Sequence, residues 1–126
     1  MPFRLALAAS VGVALSALLA AESEPPLRRE ALAKEHDLAA GERVFTIVCA
    51  ACHADEASGA PLVGDRAAWV PRLEQGLGRL VRRAIEGYEG PAGEMPARGG
   101  DDTLADAAVA NAVAFLADRA LAAPSG

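Results

Sequence analysis

Cys49 and Cys52 stand three positions apart with His53 directly behind them, in the run Cys49-Ala50-Ala51-Cys52-His53. Two thiols on one helical turn can add to the two vinyl groups of a single porphyrin. The next residue then lies under the iron, where a neutral imidazole nitrogen can ligate it. C-x-x-C-H is therefore the attachment pattern of c-type haem. A bare C-x-x-C also serves thiol oxidoreductases and half of many zinc sites. Zinc would need two further ligands, and His36 with a carboxylate completes the set poorly. A redox dithiol would need a strand before the motif and a β-α-β frame, and the sequence offers neither. These are the chain's only cysteines, and His53 is one of its two histidines.

A second donor is needed if the iron is to be closed on both sides. The mature chain has one thioether, Met95, because the other methionine opens the polypeptide. It lies in the glycine- and proline-rich stretch Gly87–Gly100, framed by Glu94 and Pro96, where no regular structure is expected. A methionine that merely fills a core belongs on a helix face, whereas one in such a loop can bend across the far side of a haem. With Met95 displaced, the same iron would stay open for a gas or peroxide. His36, ahead of the first helix, reads as a solvated side chain.

The elements that position these groups read as helices. Asp37 caps the first, with Leu38, Gly41, Val44, Phe45 and Val48 on one face leading to Cys49. Gly41 has no side chain and lets another helix cross closely. Residues 54–64 form a loop, and Asp65–Gly76 reads as short, broken helical turns around Trp69, Pro71 and Arg72. Leu77, Leu80, Val81, Ala84 and Ile85 mark an amphipathic helix with Arg79, Arg82 and Arg83 solvated, ended by Gly87. Thr103 and Asp106 suggest a capping box for a last helix that runs to about Arg119. No run supports a sheet.

The 126 residues allow one small domain behind a targeting segment. Residues 1–21, with Arg4 before the apolar run Leu5–Ala21, read as a signal peptide or a retained anchor. Residues 22–36 read as a linker with at most one or two surface helical turns, 37–119 as the domain, and 120–126 as a flexible tail. Export places the thiols outside the cytoplasm. Hydrophobic residues make up 52% of the chain but aromatics only 4%, so small side chains leave a core that a haem face would complete. The formal charge of −5 argues against nucleic acid. With Lys34 as the one lysine, a ring of lysines cannot form the docking surface. A partner that binds by charge should be basic.

Taken together, Gly41…Phe45, Cys49-x-x-Cys52-His53, Gly59-Ala60-Pro61, Gly64-Asp65…Trp69…Arg72 and Gly93-Glu94-Met95-Pro96…Gly99-Gly100 resemble the class I c-type cytochromes, closest to the bacterial cytochrome c5 group. The closing helix through Val113, Phe115 and Leu116 matches as well. The resemblance implies an all-α class I cytochrome c fold with the N- and C-terminal helices crossing near Gly41, Phe45 and Phe115 around one covalently bound haem c. It implies thioethers at Cys49 and Cys52, axial ligands His53 and Met95, and a Pro61 carbonyl facing the far nitrogen of His53. Trp69 and Arg72 would reach the haem propionates, and Tyr88 would pack near the haem rim. Some members carry an extra disulfide, for which this chain has no cysteines. The function implied is one-electron transfer by a periplasmic carrier, soluble or anchored to the inner membrane through residues 5–21. Its partners would be a membrane cytochrome complex, a terminal oxidase or a reductase. The rival is a gas-binding or peroxidase-like haem protein with an open iron.

Overall fold

A computed structural model describes residues 26–125. The leader read over residues 1–21 lies outside them. The described residues form a mostly helical domain, in the order α1 (Arg29–Glu35), α2 (Leu38–Val44), a π-helical turn (Phe45–Cys49), α3 (Ala50–His53), α4 (Arg66–Leu73), α5 (Leu77–Glu86) and α6 (Asp106–Ala122). Between α5 and α6 come the strands β1 (Tyr88–Gly90) and β2 (Gly93–Met95) and a 3-10 turn (Ala97–Gly100). Among the described residues, no helix is long and apolar enough to cross a membrane.

Asp37 caps α2 by accepting from the Ala40 amide at 2.9 Å. Its own amide donates to the Asn111 Oδ1 of α6 at 3.1 Å, so the start of α2 is tied directly to the last helix. One turn on, Gly41 lies against the Asn111 carbonyl, and a Cβ there would collide with it. Phe45 then meets Phe115 with ring centroids 5.3 Å apart. The crossing expected at Gly41, Phe45 and Phe115 is thus the contact that joins the two ends of the domain.

Past the crossing, helical phase becomes the difficulty. Steps of four residues advance about 40° each in an α-helix, so Gly41, Phe45, Cys49 and His53 would drift around its surface. The π turn, in which the Ala50 amide bonds to the Phe45 carbonyl, winds one more residue into the turn and offsets that drift. Phe45 and His53 are both buried as a result, while Ile47 is left 81% exposed on the outer side.

Four expectations from sequence need correction. The one or two surface turns expected within 22–36 are, where described, a helix packed into the core. Helix α1 buries Leu32 to 1% exposure against Leu73, Ala114 and Ala117, and the half-exposed Arg29 donates to the buried Asp118 at 2.7 Å. Apart from Leu73 of α4, these partners all lie on α6, which is why so short a charged segment stays helical. The Gly/Pro stretch after α5 contains an antiparallel hairpin pairing Tyr88 with Met95, Glu89 with Glu94 and Gly90 with Gly93. Glycines and Pro91 supply the turn rather than forbidding the strands. Thr103 does not cap α6, which begins at Asp106 and runs on to Ala122. Its amide and hydroxyl instead donate to Asp101, at 3.0 and 2.6 Å. Asp65–Gly76 is also less broken than expected, since α4 runs through Pro71 as one helix.

The crossing predicts that Gly41→Ala, adding one methyl group against backbone, destabilises the protein by about 3 kcal/mol or more in urea unfolding. Leu32→Ala should cost about 2–3 kcal/mol by the same measurement, because α6 and α4 cannot close over the gap. The Thr103 hydroxyl, then its amide, hold the Asp101 carboxyl below its ordinary value. The stability this gives is present above the usual carboxylate range and is lost as pH falls through the lowered value. Asp101→Asn should therefore lower stability at neutral pH and flatten its acid dependence, as read from melting temperatures across pH.

Candidate haem site

Three of the chemistry-bearing side chains converge. Cys49, His53 and Met95 line one cleft, walled by Val44, Ala84, Leu104, Val109 and Val113 among others. They come from three places: the π turn, the end of α3 and the end of β2. Cys49 is half-buried, and burial pushes its thiol above the ordinary value. Cys52 is exposed, one helical turn further on. Neither sulfur is in a disulfide.

His53 is the most thoroughly fixed member. It is buried, and its Nδ1 faces the Pro61 carbonyl at 2.7 Å. As an N–H donor to that oxygen, Nδ1 leaves Nε2 with its lone pair free. The two residues after Pro61 complete the brace. The Val63 amide donates to the His53 carbonyl at 2.7 Å, and the Trp69 indole N–H donates to the Leu62 carbonyl at 2.7 Å. The Trp69 ring also packs on the imidazole, centroids 5.6 Å apart. A short run of loop thus holds the histidine by ring and backbone while α4 holds the loop. Sequence offers no signal for Leu62 and Val63, whose part in this is played by backbone atoms.

Trp69 and Arg72 do not join the cleft. The Trp69 N–H is occupied by Leu62, and Arg72 donates within its own helix to the Ala68 carbonyl at 2.5 Å. Arg98, which the sequence reading passed over, does line the cleft. It has a left-handed backbone, φ 54°, that non-glycine residues seldom adopt. Its guanidinium bonds the Leu104 carbonyl at 2.8 Å and Asp106 at 2.7 Å, tying the segment after Met95 to the start of α6. Gly99 beside it abuts Val48, with no room for a methyl.

The chemistry of the donors suits a haem. One imidazole with a free Nε2 and one thioether share a cleft whose remaining walls are chiefly aliphatic, next to two unoxidised thiols. Zinc fits less well: among the described residues, no group of three or more His, Cys, Asp and Glu side chains forms a cluster fit to hold a metal ion.

Comparison with known proteins agrees. Residues 36–116 match the family described as cytochrome c oxidase, cbb3-type, subunit III. Cytochrome c-555 of Chlorobaculum tepidum is 51% identical over 81 residues, covering 64% of this chain and 75% of that protein. Cytochrome c-555 of Chlorobaculum thiosulfatiphilum is 47% identical over 81 residues, 64% of this chain and 94% of the relative. A solved structure, titled as the electron transfer complex of nitrite reductase with cytochrome c, contains a chain 37% identical to this one. It superposes with a TM-score of 0.59 over 68% of this chain and 99% of the other. The chain belongs to the class I c-type cytochromes and carries covalently bound haem c.

Proposed function

We propose that the protein is an exported monohaem electron carrier in which Cys49 and Cys52 hold the porphyrin by thioethers and His53 and Met95 occupy the two axial positions. The observation that carries this reading is the meeting of Cys49, His53 and Met95 in one apolar cleft. The bound iron supplies a one-electron change between ferrous and ferric states. The protein's part is to hold the donors and exclude water. Pro61 fixes the imidazole and sets its tautomer, so little rearrangement is required of that side. A thioether in place of a second nitrogen favours the ferrous state, as do walls of low dielectric. The Arg98 guanidinium in the cleft acts in the same direction, moderated by its pairing with Asp106.

With His53 and Met95 both holding the iron, no position would remain for a substrate at the metal, and the described cleft offers no nucleophile–base pair. The protein is then a carrier, and its partners are redox proteins, as for the structural neighbour solved with nitrite reductase. The net charge of −5 favours a basic docking surface on such a partner. The apolar run Leu5–Ala21 suits export to the periplasm, by cleavage or as an anchor.

The ferric protein should be low-spin and show the weak long-wavelength sulfur–iron band, which Met95→Ala abolishes. A high-spin ferric spectrum in the wild type, or ready binding of carbon monoxide to the ferrous form, would contradict axial methionine and favour an open, ligand-binding iron.

A further inference from the structure

Met95 is carried by a hairpin whose strands, Tyr88–Gly90 and Gly93–Met95, are too short to hold a shape by themselves. Something must keep the thioether over the cleft. Cross-strand partners point to one face of a ribbon, so the pairing of Tyr88 with Met95 puts both side chains on the same face. The two glycines, Gly90 and Gly93, complete that face and leave it bare. The Tyr88 ring lies down in the space they leave: a Cβ on Gly90 would stand 2.5 Å from its Cε1. The Arg83 guanidinium of α5 covers the ring, with its Cζ 4.1 Å from the centroid. At the base of the hairpin, Gly87 closes against the Met95 carbonyl and the Ala97 amide. A Cβ there would stand 3.3 and 3.1 Å from them.

We propose that Tyr88 is a positioning residue for Met95, its ring latched by Arg83 and Gly90 so that the hairpin cannot lift the thioether out of the cleft. This rests on the axial role given to Met95 above. The latch ties the methionine to α5, a helix that packs on α6 and so moves with the core. It uses the ring and not the phenol hydroxyl. Since Tyr88 is 40% exposed, removing it leaves the core intact. Lifting of the hairpin would free one side of the iron, and an added nitrogen ligand would then compete with the thioether. Its apparent affinity scales with the lifted fraction.

The test is imidazole titration of the ferric holoprotein, followed in the visible spectrum. Tyr88→Leu should tighten imidazole binding roughly tenfold and Arg83→Gln about threefold. Tyr88→Phe should bind as the wild type does. In a Met95→Ala background the gains should vanish, because no thioether remains to be displaced. Unchanged affinity in both Tyr88→Leu and Arg83→Gln would overturn the latch, and so would gains that persist without Met95. A sulfur–iron band in the wild type that Met95→Ala removes keeps axial methionine standing even if the latch falls. Absence of that band overturns both.

Discussion

The backbones of α2 and α6 touch at Gly41, and the cleft lined by Cys49, His53 and Met95 depends on that contact. The N-terminal helix must deliver Cys49 and His53 to the same cleft that Val109, Ala112, Val113 and Leu116 of α6 wall from the other side. Only a residue without a side chain lets the helices approach so far. Phe45 on Phe115 sets the angle of approach, and the Asp37 amide on Asn111 sets the register. The crossing thus converts two ends of a chain into one wall each of a binding site.

The interior around the crossing is built chiefly from small side chains. With one tryptophan, one tyrosine and three phenylalanines, much of the described packing is done by alanine, valine and leucine. Such a core gains from a large flat apolar group tied in place, and a covalent tether spares the entropy of binding it each time. The cleft is also asymmetric in how it holds its two donors. His53 is braced within a continuous piece of structure by Pro61, Val63 and Trp69. Met95 sits on a small hairpin and is pinned from outside, by Arg98 toward α6 and by Tyr88 toward α5. Rigidity on the histidine side and adjustability on the methionine side follow from local chain architecture rather than from the donors themselves.

The helices that meet in the core were legible because their apolar residues recur with helical period, and Gly41 was legible because an unexpected glycine on an apolar face marks a close crossing. Cys49, Cys52 and His53 stood out by spacing alone, and the structure brings Cys49 and His53 to one cleft. Helix α1 was legible only as a surface turn or two and not as a packed element, since its single buried leucine is surrounded by charge and its stability comes from a partner far along the chain. The hairpin escaped notice because strands of this length have no period to detect and glycine ordinarily argues against them. Thr103 and Asp106 had the spacing of a capping box, but Asp101, two residues before Thr103, captured its donors first. Arg98 gave no sign, because its importance lies in a left-handed backbone that sequence does not advertise for arginine.

The central claim is that Cys49 and Cys52 tether the group that completes this core. Mass spectrometry of the exported protein, matured with haem-attachment machinery and digested with trypsin, tests it most directly. Cleavage after Arg43 and Arg66 yields a peptide spanning residues 44–66, which contains both cysteines and His53. Attachment predicts that this peptide is heavier by one haem, with no thiol left to alkylate. An unmodified peptide in which both thiols alkylate would contradict it.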